Sequence, residues 1–296
     1  MSIGLTHEPD LVPSFDLTLI AGRRMGANAA TPLVVAGAVG ADLSVWRRTL
    51  AKLVQDRPVI TWDLRGLHSS GVARSNRLDA GAHAEDGIAV TDSYEVDRFH
   101  LAGWSTGARI ALEIAHRYPE RVASLMLVCG TDGYSLSGGL RHLEITSVLP
   151  TVTGVAKHFA SYLGGVLRTV TSRPELAGLV RQSGLVGPTA DTAALVDMLR
   201  SMADCDPQVL LATYEAVAGD SAPELLKEIE PATLLIAGER DPFTPLRRME
   251  EAAESIPAAT LTVYERATHY LPIEFPDLLA EDLNDFMESA DQSELA

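Results

Sequence analysis

Cysteine is the first scarcity in this chain: 296 residues carry only two, Cys129 and Cys205. Two such residues form neither a disulfide framework nor a zinc-binding spacing, and a reducing cytoplasm is the expected setting. Basic residues are also few, 24 Lys and Arg against 40 Asp and Glu, for a formal charge of −16. That field repels nucleic-acid phosphates and anionic lipid surfaces, so neither is an expected partner; its plainer effect is solubility. No apolar run approaches the roughly 20 residues that span a bilayer, and no membrane insertion is expected. The opening residues, Met1 to Asp10, have neither the positive n-region nor the apolar h-region of a signal peptide. A His-Glu-x-x-His pair and a phosphate-cradling glycine loop are missing as well, since Gly138-Gly139 and Gly164-Gly165 stand alone. No metal and no cofactor is therefore expected, and the expected partner is a small-molecule substrate.

What is present is ordinary for a globular protein, with 46% hydrophobic and 22% charged residues. The length allows one domain with an insertion, or two domains. The informative stretch runs from Phe99 to Pro119. A short apolar run at Leu101 and Ala102 enters Gly103-Trp104-Ser105-Thr106-Gly107, after which Ile110, Ala111, Ile114 and Ala115 recur at helical spacing. Arg109, Glu113 and Arg117 occupy the other face, and Pro119 stops the helix near Tyr118. Strand, sharp turn and helix around Gly-x-Ser-x-Gly is the pattern of a nucleophile elbow, with the serine hydroxyl exposed on a strained turn. The five-residue pattern alone is weak, since with Gly and Ser each near roughly 7% it arises by chance in about one chain of this length in ten. Its context is what makes Ser105 a candidate nucleophile rather than a turn serine.

Strands alternate with helices on both sides of this stretch. Edge strands are expected around Leu17 to Ala21, broken by Gly22 and Gly26. Strands follow at Leu33-Val34-Val35, Pro58 to Trp62 and Leu125 to Val128, with helices around Val45 to Leu53 and Ala82 to Tyr94. That alternation predicts a mainly parallel sheet covered on both faces. From Gly133 to Glu228 no strand is expected. Apolar helical segments stand there instead, at Leu140 to Leu149, Val155 to Leu167, Ala193 to Met202 and Val209 to Val217. A plain parallel crossover needs about a dozen residues, so a helical cap inserted before the penultimate strand is predicted. The sheet resumes at Thr233 to Ala237, with a helix to Ile256, a strand at Leu261 to Val263, a last helix from Asp277 to Met287, and a polar tail from Ala290 expected to be disordered. The predicted division is 1–132 core, 133–228 cap and 229–296 core.

The elbow and this alternation resemble the α/β-hydrolase superfamily over nearly the whole chain. The resemblance implies an α/β-hydrolase fold and an order of serine, acid, histidine for the triad. Among eight histidines, His269 in Ala267-Thr268-His269-Tyr270 alone sits directly after the last predicted strand, at the sheet edge where Ser105 lies. The acid loop of the family resembles Gly238-Glu239-Arg240-Asp241-Pro242, which points to Asp241; Asp132 is the competitor, one strand earlier, and Glu239 is less favoured. The oxyanion hole would use the backbone N–H groups of Thr106 and Ala38. Relatives usually show His-Gly where this chain has Ala36-Gly37-Ala38, which leaves open how that loop is braced. Asp63 and Arg65, in a second departure from the family pattern, read as loop organisers. The activity this implies is serine hydrolysis of a carboxylic ester with a hydrophobic acyl or alcohol part, through an acyl-enzyme. The alternatives are thioester, lactone, amide or carbon–carbon hydrolysis, cofactor-free haloperoxidase or perhydrolase chemistry, or a non-catalytic ligand-binding protein on the same scaffold.

Overall fold

The apolar runs become the middle of one sheet. In the computed structural model, which describes residues 8–27, 29–133, 186–219 and 222–294, eight strands are ordered β1-β2-β4-β3-β5-β6-β7-β8. They are β1 Asp10–Pro13, β2 Leu19–Met25, β3 Leu33–Ala36, β4 Val59–Trp62, β5 Phe99–Trp104, β6 Val122–Val128, β7 Thr233–Gly238 and β8 Ala259–Tyr264. β1 and β2 are antiparallel to their neighbours, and β3 to β8 pair in parallel. β3, β4, β5 and β7 are buried at every position, as strands covered on both faces must be.

The described helices are α1 Arg47–Asp56, α2 Ala80–Ser93, α3 Thr106–Arg117, α4 Thr192–Asp204, α5 Pro207–Ala218, α6 Leu246–Ser255 and α7 Pro276–Glu294, besides single turns. Side-chain oxygens cap several of them: Asp79 accepts from Ala82 N–H, Asp191 from Ala193 N–H and Asp206 from Gln208 N–H. α4 and α5 belong to the long insertion between β6 and β7. They lie on the core, with Leu195 and Met198 buried. Val209 and Leu210 press so closely on Gly66 and Gly40 that a Cβ there would come within 2.9 and 2.5 Å of them. The predicted segments 140–149 and 155–167 lie outside the described residues. No described helix is long and apolar enough to cross a membrane.

Two expectations are corrected. β2 runs through Gly22, where a Cβ would stand 2.9 Å from Val90 Cγ1, so this glycine admits α2 rather than ending the strand. The chain after Ala290 continues α7 to Glu294. Its hold there is Asp291, which meets His100 Nε2 at 3.0 Å and Arg57 Nη2 at 3.4 Å. Both partners are buried, so the tail is anchored by charges invisible from its own composition. Asp63 and Arg65 are the expected organisers: Asp63 accepts from Arg23 at 2.9 and 3.1 Å and from Ser69 N–H at 3.1 Å. Arg65 grips Asp86 through two bonds of 2.8 and 2.6 Å.

His83, on α2 against that network, is fully buried with both ring nitrogens lacking a hydrogen-bond partner. Burial, then the charge of Arg65, pushes its pKa down to about 3 from 6.5. Below pH 6.5 the unfolded chain binds this proton and the native chain does not, so the contribution is intact above pH 6.5 and is lost as pH falls towards 3. The slope is about 1.4 kcal/mol per pH unit. His100, likewise lowered by burial, acts in the same direction. Thermal melts at pH 7 and pH 5 should show a lower Tm at pH 5. In His83→Leu that difference should shrink; an unchanged difference would refute the assignment to His83.

Candidate active site

Parallel strands deliver their loops to one edge, and the singled-out residues lie just beyond four strand ends: Ala38 after β3, Ser105 after β5, Asp241 after β7 and His269 after β8. The elbow is formed by sterics. Ser105 adopts φ 57° and ψ −123°, a conformation costing on the order of 1–3 kcal/mol for a residue with a side chain. Glycine is required on both sides, since a Cβ on Gly103 would lie 2.4 Å from Gly107 O, and one on Gly107 would lie 2.2 Å from Ala36 O. Ser105 N–H donates to Val128 O at 2.9 Å, tying the turn to β6.

The three side chains form one line. Ser105 Oγ stands 2.8 Å from His269 Nε2, and His269 Nδ1 stands 2.8 Å from Asp241 Oδ2. Asp241 Oδ1 accepts the N–H groups of Phe243 and Thr244, each at 2.8 Å. A carboxylate only accepts, so Nδ1 carries the imidazole proton, and the bare Nε2 faces the serine hydroxyl. The rings of Phe243, Trp104 and Tyr270 enclose the imidazole, with centroids 5.0, 5.6 and 5.6 Å away. Burial pushes the Tyr270 phenol up to about 12, so it stays protonated beside the imidazole. Chemically, this line can pass a proton from the hydroxyl to the ring while the carboxylate holds the resulting cation.

Asp132, the competing acid, lies elsewhere: its Oδ1 is 3.8 Å from Arg248 Nη2, and its carbonyl accepts from Ala222 N–H at 3.3 Å. Glu239 accepts from Arg266 N–H at 2.7 Å in an exposed turn. The open question of the Ala36-Gly37-Ala38 loop is answered by a contact the sequence did not announce. Thr106 Oγ1, on the residue after Ser105, accepts the Val39 N–H at 2.8 Å. The brace therefore comes from α3 rather than from a histidine in the loop.

Glu274 was also missed. It is buried, and its carboxylate accepts the N–H groups of Thr268 and Gly187, each at 2.8 Å, and the Thr268 hydroxyl. It thus ties the residue before His269 to the returning insertion. An acid inside Leu271-Pro272-Ile273-Glu274-Phe275-Pro276 was the available signal, because a lone acid in an apolar run has to be satisfied from within. Beside Ser105 a cavity of about 40 Å³ is lined by Arg109, Thr131, Tyr214, Ala218, Phe243 and His269 among others. Among the described residues, Cys129, Asp241 and His269 are the set whose donor atoms gather within 4.8 Å and could hold a metal ion. Its carboxylate and imidazole are already bonded to each other.

Comparison with known proteins agrees with this architecture. A family model described as the alpha/beta hydrolase fold matches residues 31–276. The 2-hydroxymuconate semialdehyde hydrolase of Pseudomonas sp. (strain CF600) is 27% identical over 278 residues, covering 91% of each chain. A pimeloyl-[acyl-carrier protein] methyl ester esterase of Neisseria meningitidis (strain H44/76) is 27% identical over 84% of this chain and 90% of its own. A shorter match, 34% over 115 residues, takes in 38% of this chain and only 31% of the acetyltransferase component of the acetoin cleaving system of Pseudomonas putida. In fold, the chain superposes on the esterase RhEst1 of Rhodococcus sp. ECU1013 with a TM-score of 0.74 at 23% identity, over 96% of this chain and 100% of that one.

Proposed function

Because this chain belongs to the alpha/beta hydrolase fold family, we propose that it is a serine hydrolase that cleaves a carboxylic ester through an acyl-enzyme. The observation that carries this reading is the unbroken line of two 2.8 Å contacts from Ser105 through His269 to Asp241. Serine is a poor nucleophile unless a base takes its proton as it attacks. In the proposed course Ser105 Oγ adds to the substrate carbonyl while His269 Nε2 takes the hydroxyl proton. Asp241, fixed by two backbone donors, stabilises the imidazolium, and the N–H groups of Thr106 and Ala38 receive the charge on the carbonyl oxygen. His269 then gives the proton to the departing alkoxide. Water, deprotonated by the same imidazole, frees the acid and restores Ser105. The segment 133–228 is read as a cap whose α5 contributes Tyr214 and Ala218 to the pocket wall.

The ester substrate is favoured by the methyl ester esterase relative, matched over most of both chains. Carbon–carbon hydrolysis is the second reading, favoured by the 91% coverage shared with the semialdehyde hydrolase. A fluorophosphonate probe followed by peptide mass spectrometry should place one adduct on Ser105. A p-nitrophenyl ester series of increasing chain length should be turned over. Labelling with no ester hydrolysed at any length would discard the ester substrate and keep the nucleophile. Absence of labelling, with a small molecule still bound tightly, would replace the enzyme reading with that of a binding protein.

A further inference from the structure

Ser105 and His269 follow strands β5 and β8, which are separated in the sheet by β6 and β7. Three strand spacings amount to roughly 14 Å, so the loop after β8 must run back across two strand ends to bring the imidazole to the hydroxyl. The structure holds this crossing at three consecutive carbonyls. Ala267 O accepts the Arg240 N–H beyond β7 at 2.8 Å. Thr268 O lies 3.8 Å from Cys129 Sγ, just past the end of β6. His269 O accepts the indole N–H of Trp104, the last residue of β5, at 2.8 Å. The loop thus steps from one strand end to the next, and Gly238 permits its close passage, since a Cβ there would lie 2.3 Å from Thr268 O.

Of these holds, only the indole bond joins the residue before Ser105 to His269 itself. We propose that Trp104 is a positioning residue: its indole N–H, through the His269 carbonyl, sets the distance between imidazole and serine hydroxyl. The variable position before the serine is in this chain a hydrogen-bond donor with the reach to touch the base's own backbone. Cys129 supports the same loop. Burial, then the charge of Asp241, raises its thiol well above the ordinary range, so it remains a protonated donor. Trp104 acts through His269, by the indole bond to its carbonyl and by the ring that stands 5.6 Å from the imidazole. The proposal rests on the serine-hydrolase reading, and its test is read as a ratio to the wild-type protein.

Trp104→Phe keeps an aromatic ring and deletes the donor. Replacing Trp104 with benzothienylalanine, in which sulfur stands for the N–H, deletes the donor alone. Both should lower kcat on a p-nitrophenyl ester by about tenfold to a hundredfold, the scale of a small misplacement of reacting groups. The rate of fluorophosphonate labelling should fall by the same factor, with KM within about twofold of wild type. Three results would overturn the proposal: wild-type kcat in the benzothienylalanine protein, a loss confined to KM, or a kcat loss no larger than the loss of folded protein measured by circular dichroism. A wild-type protein that hydrolyses no ester and takes no label would instead remove the serine-hydrolase reading beneath it.

Discussion

Ser105→Ala should lower kcat on any ester the wild-type protein hydrolyses by about a millionfold, the loss expected when a nucleophile acting as one unit with its base is deleted. The reason is that, among the described residues, Ser105 supplies the hydroxyl bonded to His269. His269 Nε2 faces Ser105 Oγ at 2.8 Å, and the imidazole's other nitrogen is committed to Asp241. The oxyanion donors proposed above are backbone groups of Thr106 and Ala38, so they survive the substitution, and a residual acceleration of about a thousandfold over the uncatalysed reaction should persist. Folding should be nearly unaffected. Alanine carries the same unbranched Cβ into the φ 57° turn as serine does, the turn keeps its bond from residue 105 to Val128 O, and Gly103 and Gly107 still admit the close approach. Substrate binding should therefore remain measurable in the variant by calorimetry. Retention of more than about one per cent of kcat would show that another group, or water activated directly by His269, performs the attack, at odds with the non-additivity that a covalent triad displays.

How much of this could be read from sequence follows from how local each determinant is. The elbow was legible because its pattern is local, five consecutive residues, although only Gly103 is demanded from within the segment, by Gly107 O, while Gly107 is demanded by Ala36 O of β3. The buried parallel strands were legible for the same reason, as continuous apolar runs at Leu33 to Val35 and Leu125 to Val128. His269 and Asp241 could be placed because loops after parallel strands share one edge. The brace of the Ala36-Gly37-Ala38 loop by Thr106 Oγ1 was not legible: it joins residues 67 positions apart, and a threonine after Ser105 says nothing of its partner. The anchoring of α7 by Asp291 is non-local too, with His100 191 positions away. Composition read the last residues as a free polar tail, whereas the Asp291 carboxylate meets the buried Arg57 guanidinium and the buried His100 imidazole. Gly22 was misread for a related reason: its partner, Val90, lies on a helix the local pattern does not see.

Asp241→Asn should lower kcat by about ten-thousandfold, while Asp132→Asn should change it by less than about threefold, both measured on the same ester. The argument for the first lies in which oxygen is already engaged. Asp241 Oδ1 accepts two backbone N–H groups, from Phe243 and Thr244, and only an oxygen can fill that place. In the asparagine the amide oxygen must therefore take the Oδ1 position and the NH2 group the Oδ2 position, 2.8 Å from His269 Nδ1. A donor now faces Nδ1, so the imidazole accepts there and carries its proton on Nε2. That proton points at Ser105 Oγ, and the ring can no longer act as the base. The backbone of the loop is undisturbed, so the loss should appear in kcat with Tm close to wild type. Asp132 has no such role: its carboxylate faces Arg248 rather than the imidazole, and neutralising it leaves the tautomer of His269 untouched. A larger loss in Asp132→Asn than in Asp241→Asn would transfer the acid to the earlier strand, and with it the orientation of the base on which the proposed reaction depends.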